Sequence, residues 1–446
     1  MTGFGWLIVL RSHLSKLAAS VAAGLCLGGC AATQAIERNA PPTLAIAEAA
    51  TVPGLTGVRS WGDNVPKDAV QEYHRIFPGL PRIGQSAQRA EGRPVIKVLA
   101  LSGGGPDGAF GAGLLSGWSA RGNRPEFQFV TGISAGALIA PFAYLGPAYD
   151  DQMREMWTQY ETSELITAQL LPGLLGGSSL ADTAPLAALI AKYVDRAFLA
   201  KIAAEYDKGR ILLIGTTNLD AQRPVVWNMG AIARAGTPAA IDLFRKVLLA
   251  SAAIPGAFPP VHIKVEADGQ SYDEMHVDGG TTREVFITPV QAPLRALDKL
   301  YDQPPMREIY IVKNGKIGAD YGEVTPKTIS IASRAIATLL KRQHAGDIYR
   351  IYRAAKDGGA DFNLIAVPET FAEKPKQAFD PAYQKALFET GYKIGRGGIG
   401  WMKVPPELLP TRAAPRVPVA AVSIAPTSGA LRAPTASGVF DSRSGP

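Results

Sequence analysis

Phe127-Gln128-Phe129-Val130-Thr131 runs directly into Gly132-Ile133-Ser134-Ala135-Gly136, and then into an apolar stretch that ends at Leu145. The first five residues read as a short strand, Ala135 to Leu145 as a helix, and the serine falls on the turn between them. A serine on such a turn exposes its hydroxyl close to a helix N-terminus. Gly132 and Gly136 on either side let neighbouring backbone pass without a clash, which is the pattern of a nucleophile elbow. A packing turn rich in glycine is the plain alternative, since G-x-S-x-G alone is a common string.

A second glycine cluster decides between them. Gly103-Gly104-Gly105-Pro106-Asp107-Gly108 follows the strand-like Val95 to Leu101 and opens a helix over Gly108 to Ala120. Backbone N–H groups at Gly103, Gly104, Gly105 and Gly108 can hold an oxyanion beside the serine. The same spacing also fits a dinucleotide phosphate loop, which wants an acid near the end of the next strand. Glu126 has about the right distance but precedes that strand, and a nucleotide site has no use for the serine elbow. An oxyanion loop accounts for both motifs, so acyl transfer is the leading chemistry.

From about Pro94 to Val404 strand and helix patterns alternate. Strands are expected at 95–101, 127–131, 211–218, 224–228, 261–265, 307–312 and 362–367. Helices are expected at 108–120, 135–145, 153–160, 185–193, 239–252, 327–355 and 380–394. Short, nearly continuous apolar strands between helices predict a layered α/β domain with a mostly parallel central sheet flanked by helices. The site then lies at the carboxyl ends of the first two strands.

The serine needs a base. His13, His74, His262, His276 and His344 are the histidines; His344 follows Lys341-Arg342-Gln343 on a polar helix face. Met275-His276-Val277-Asp278-Gly279-Gly280 brings an aspartate to the end of a strand-like segment, before two glycines that allow a tight turn. Asp278 can act as base directly if it is held near the serine in a desolvated setting. It can equally be an ordinary turn residue, because Asp-Gly is a turn dipeptide. Asn218 and Asp220 are weaker candidates for lining the pocket, with a turn role the simpler account. The apolar, glycine-rich 170–177 is read as a loop that either contacts lipid or packs in the core.

Taken together, Gly-Gly-Gly-x-x-Gly, Gly-x-Ser-x-Gly and the distant Asp-Gly-Gly resemble the patatin-like phospholipase family. Ala250-Ser251-Ala252-Ala253-Ile254-Pro255-Gly256-Ala257-Phe258-Pro259-Pro260 is similar to a fourth block of that family, and all four stand in its order. The resemblance covers about Val95 to Arg283, and more loosely the region to about Met402. It implies a Ser134–Asp278 dyad on an α/β fold and hydrolysis of lipid acyl esters, as in phospholipase A or lysophospholipase activity, without metal or other cofactor. Asp107 departs from the family, which often carries Arg or Lys there; the departure touches head-group steering and leaves the backbone donors intact.

The ends of the chain differ from its body. Arg11 and Lys16 precede a small-residue apolar run that ends Leu27-Gly28-Gly29-Cys30, which resembles a bacterial lipobox. The run is too short to favour a permanent span. The expected organisation is a lipoprotein signal at 1–29, lipidation of Cys30, a tether or extension over 30–90, the hydrolase domain at 91–404, and a tail over 405–446. That tail of 42 residues holds eight of the 34 prolines and reads as disordered. Ala31-Ala32 after Cys30 point to an outer-membrane lipoprotein. The second cysteine, Cys26, falls in the removed segment, so the mature chain has no disulfide.

Of 446 residues, 47% are hydrophobic and 19% charged, which suits a globular domain and excludes a multi-span membrane protein. Loss of Arg11 and Lys16 with the signal lowers the net charge from +7 to +5. That excess slightly favours an anionic membrane surface and is too small to suggest nucleic acid. A solvated surface is the simpler account of the excess, and the expected partners are a lipid or other acyl ester and, through the lipid anchor, a membrane surface. Two other readings stand beside the dyad: a Ser-His-Asp esterase with His344 as base, and a non-catalytic lipid-binding lipoprotein.

Overall fold

The computed structural model describes residues 38–77, 87–165, 167–168, 179, 181–319 and 321–409. Among them ten strands form one sheet: β1 (Arg59–Trp61), β2 (Arg89–Ala90), β3 (Arg93–Leu101), β4 (Phe129–Gly132), β5 (Ile211–Asn218), β6 (Arg223–Asn228), β7 (Val261–Ala267), β8 (Gln270–Asp278), β9 (Met306–Lys313) and β10 (Asp361–Ala366). The order across the sheet is β1-β6-β5-β4-β3-β9-β10, with β8 also on β5, β7 on β8 and β2 on β3. The five strands β5, β4, β3, β9 and β10 are parallel to their neighbours in that run. The β6, β8, β7, β1 and β2 pairings are antiparallel.

The parallel centre follows from the residues. Every position of β5 is buried, and β3 is buried except at Arg93 and Lys97. Strands with both faces covered must be apolar on both. Successive side chains of β3 divide accordingly: Leu99 and Leu101 join one core, Ile96, Val98 and Ala100 the other. The first core packs under helices α1 (Gly108–Ala120), α2 (Ala135–Leu145) and α3 (Pro238–Ser251). The second packs under the segment from Val285 to Leu297 and under Ile348 and Ile351 of the long helix α4 (Thr328–Gly358).

The final helix, α5 (Pro381–Gly397), lies unusually close to α1. A Cβ built at Gly113 would stand 2.0 Å from the Phe388 carbonyl oxygen, and one at Gly391 2.3 Å from that of Phe110. Any side chain at these positions would force the helices apart.

The layered α/β architecture agrees with the expectation, and β5, α1 and α2 have the expected bounds. The helices Arg196–Asp207 and Met229–Ala235 were not anticipated. Nor was the long β7–β8 hairpin, turned at Asp268-Gly269 with both residues at positive φ. Of the proposed 30–90 extension, the described part adds β1 to the sheet edge, where Arg59 is ion-paired with Glu274 of β8.

Residues to Pro406 form one unit, and Glu407–Pro446 a second, of which 407–409 are described. The expected signal segment, Cys30, the 170–177 stretch and the tail beyond 409 lie outside the described residues. No helix among the described residues is long and apolar enough to cross a membrane.

Candidate active site

Ser134 sits between β4 and α2 with φ 55° and ψ −124°, a conformation a non-glycine residue rarely adopts. Such strain costs on the order of 1–3 kcal/mol and persists only where the surroundings impose it. Here they do so from three sides. The Ser134 N–H donates to Ser251 Oγ at 2.9 Å, and that hydroxyl donates to the Gly215 carbonyl of β5 at 2.7 Å. A Cβ at Gly132 would lie 2.4 Å from the Gly136 carbonyl oxygen, and one at Gly136 2.3 Å from that of Leu101. The glycines are what allows β3, β4 and the first turn of α2 to close on the serine.

Sheet topology delivers Asp278 to the same place. β4 ends with Gly132 opposite Ile214 of β5; two positions further along β5, Thr216 faces Asp278 at the end of β8. Thus β8 enters antiparallel on the edge of β5 that β4 vacates when it turns up into the elbow. The Asp278 N–H donates to the Ala253 carbonyl at 2.9 Å, and Oδ1 accepts the Gly280 N–H at 2.7 Å. The turn through Gly279-Gly280 therefore fixes the carboxylate. The Ser134 hydroxyl lies near enough to this carboxylate to favour its ionised form. Burial pushes Asp278 up to about 6, and Glu284 adds to the rise, while the neighbouring Ser134 hydroxyl, the Gly280 N–H bond and the nearby His344 pull it down.

The glycine loop lies alongside, but its four glycines differ. Gly103 donates its N–H to the Glu284 carbonyl at 3.2 Å. The Gly108 N–H bonds the carbonyls of Gly105 and Pro106. Gly104 and Gly105 donate to no acceptor among the described residues, nor does Ala135, the first helical residue after the serine. The two engaged N–H groups correct the expectation that Gly103 and Gly108 act as donors. Ala135 was not singled out from the sequence, although the N–H after an elbow nucleophile is a regular oxyanion donor.

Asn314, just past β9, was also missed. It receives the Gly111 N–H on Oδ1 at 3.1 Å and bonds Ser102 through its own N–H and side-chain amide, at 2.8 Å each. It thereby ties the entry of the loop to the first turn of α1. Ser251 was quoted only as part of a block; its bond to the elbow explains why a serine stands there.

The histidines are placed elsewhere. His344 Nδ1 is 2.9 Å from Oε1 of buried Glu284, which is also ion-paired with Lys313. His276 is fully buried between Glu274 at 3.1 Å and Thr216 at 3.0 Å, in a network that continues to Arg59 and Trp227. Asn218 accepts the Ala221 N–H in a turn, and Asp220 pairs with Arg38. Asp107 accepts a hydrogen bond from the Tyr383 hydroxyl at 2.7 Å.

A narrow pocket opens above Ser134 and Gly105. Leu138, Met156, Trp157, Leu189, Ile190 and Phe258 line it, and among the described residues Gln384 is the one side chain with a polar head besides the serine. Such walls suit an alkyl chain and offer nothing to a charged one. Among the described residues no three His, Cys, Asp or Glu side chains gather where a metal ion would sit.

A strained serine at a strand-to-helix elbow, beside an apolar pocket on a mostly parallel sheet, defines an α/β protein of hydrolase type. Residues 99–290 match the model of the patatin-like phospholipase family, and this part of the chain is similar to that domain. The match supports lipid acyl hydrolysis in general. VipD from Legionella pneumophila is a similar solved structure, at 12% identity and a TM-score of 0.34 over 68% of this chain and 66% of that one. The chain thus spans just under two thirds of VipD. No curated protein matches the sequence.

Proposed function

We propose that the chain is a serine acyl hydrolase of phospholipids or lysophospholipids that works through a Ser134–Asp278 dyad. The observation that carries this reading is the strained Ser134 at the wall of an alkyl-lined pocket, with the buried Asp278 carboxylate close enough for the serine hydroxyl to lower its pKa. The Ser134 oxygen attacks the ester carbonyl as its proton passes to Asp278. The N–H groups of Gly104, Gly105 and Ala135 face the developing oxyanion; loss of one such donor typically costs roughly 100- to 1000-fold. Collapse of the intermediate expels the alcohol, which takes the proton from Asp278. Water then gives a proton to Asp278 and its oxygen to the acyl-enzyme; collapse releases the fatty acid, and Asp278 returns the proton to the departing Ser134 oxygen.

Mass spectrometry of purified protein incubated with diacyl and lysophospholipid tests this directly. Fatty-acid release, with a fluorophosphonate adduct on Ser134, is the expected result; neither product would sink the proposal. A histidine base is tested by His344→Ala. Because His344 is bonded to Glu284, the variant should keep turnover within roughly tenfold of wild type, as fits a neighbouring charge and not a proton acceptor. A loss as deep as that of an Asp278 variant would favour the triad.

We also propose that Cys30 carries a lipid anchor and that the protein resides in the outer membrane. The support is the Leu27-Gly28-Gly29-Cys30 string and the absence of Asp at position 31. Stable anchoring takes more than one acyl chain, which a diacylated and N-acylated cysteine supplies. Cys30→Ala should leave an uncleaved precursor or a soluble form that is still active. Fractionation and the mass of the mature N-terminus check this; an unmodified wild-type N-terminus would refute the anchor.

A further inference from the structure

We propose that the first half of α4, residues 328–343, is a docking helix for an anionic phospholipid surface. The proposal deepens the lipid hydrolase reading, on which it rests, by naming the form in which the substrate is met.

α4 has two unlike halves. Its second half is anchored, with Ile348, Ile351 and Ala355 buried against the sheet. Its first half projects: Ile331 is 54%, Ile336 58% and Leu339 71% exposed. A projecting helix is normally polar all round, and this one is not. Ala332, Ile336, Leu339 and Leu340 follow the i, i+4, i+7, i+8 spacing of a single face, while Arg334 and Lys341 fall on the opposite side. An isolated helix of this length is marginal in water, so the apolar stripe calls for a medium to bury it.

Charge selects that medium. From Val324 to Gly346 the chain carries Lys327, Arg334, Lys341 and Arg342 and not one Asp or Glu. A basic helix with one apolar face is suited to lie in a bilayer interface, its apolar stripe among the acyl chains and its cations at anionic head groups. Position supports the same occupant. The projecting half begins where the helix leaves the catalytic cluster, at His344 bonded to Glu284, whose field acts on Asp278. A bilayer held by Leu339 and Leu340 is thereby held within about two helical turns of that cluster.

The test places an environment-sensitive dye on Leu339→Cys in a full-length Cys26→Ala/Cys30→Ala background. The dye reports position 339 locally, whatever the N-terminal segment does. Vesicles of phosphatidylcholine with phosphatidylglycerol should blue-shift it, and phosphatidylcholine alone should do so far less. Ile336→Glu/Leu339→Glu should lower vesicle partition roughly tenfold or more, with turnover of a soluble short-chain ester unchanged. The dye response should persist in Ser134→Ala, so docking can be scored even if the catalytic reading fails. Three outcomes would overturn the proposal. The dye could ignore anionic vesicles, or respond equally to neutral ones. It could also be shifted already in their absence, which would mean that the chain itself or a second copy covers the face.

Discussion

Ser134→Ala should abolish ester hydrolysis and leave the thermal melt almost unchanged. The elbow contributes little packing through this side chain: its backbone N–H is held by Ser251, and the hydroxyl stands beside the Asp278 carboxylate. An alanine keeps the backbone N–H and meets the same φ of 55°. Loss of a hydroxyl from such a position costs about 1 kcal/mol at most, the worth of one hydrogen bond. On the proposed mechanism catalysis depends on the hydroxyl entirely, because an acyl-enzyme cannot form without it. The expected fall in turnover on a nitrophenyl ester is roughly 10⁴- to 10⁶-fold, the residue being what pocket and oxyanion donors achieve with water. Wild-type turnover in this variant would eliminate Ser134 as nucleophile.

Asp278→Asn should lower turnover by roughly 100- to 10,000-fold, since an amide cannot take the serine proton. In the wild type, kcat/KM should rise with pH through about 6, where the carboxyl ionises. The same shift has an opposite consequence for stability. The folded-state pKa is raised from 3.8, so Asp278 favours the fold fully below about 3.8, and this contribution is lost as pH rises through about 6. Above that range the ionised, buried group costs on the order of 3 kcal/mol, which the asparagine avoids. Asp278→Asn should therefore melt at or above the wild-type temperature at alkaline pH, and lose that advantage in acid. An unaltered pH–rate profile, or a variant that melts far lower at high pH, would contradict the assignment.

What the sequence disclosed, and what it hid, follows from the range of each signal. β5, α1 and α2 are continuous apolar runs ended by glycine or polar residues, and such local patterns can be read directly. β8 was seen only as a strand-like end because Gln270-Ser271-Tyr272-Asp273-Glu274 is polar; its pairing with β7 and β5 makes it a strand. Gly132 to Gly136 and Asp278 stood out as motifs. Ser251, Asn314 and Glu284 did not, since each acts through a partner distant in sequence: the elbow, the glycine loop and the Lys313–His344 pair. Whether a loop N–H is free to donate is likewise invisible until the Glu284 carbonyl is found on Gly103.

The tight contact between α1 and α5 bears on when this protein can become active. The segment that matches the family ends at 290 and already contains Ser134 and Asp278. Yet β3, which carries the glycine loop, takes β9 as its neighbour on one side, and α1 closes on a helix that ends at Gly397. A growing polypeptide that has passed residue 290 on the ribosome therefore owns both reacting groups without the framework that aligns them. On the proposed reading, a chain that ends near residue 290 should therefore release no fatty acid, although it carries Ser134 and Asp278.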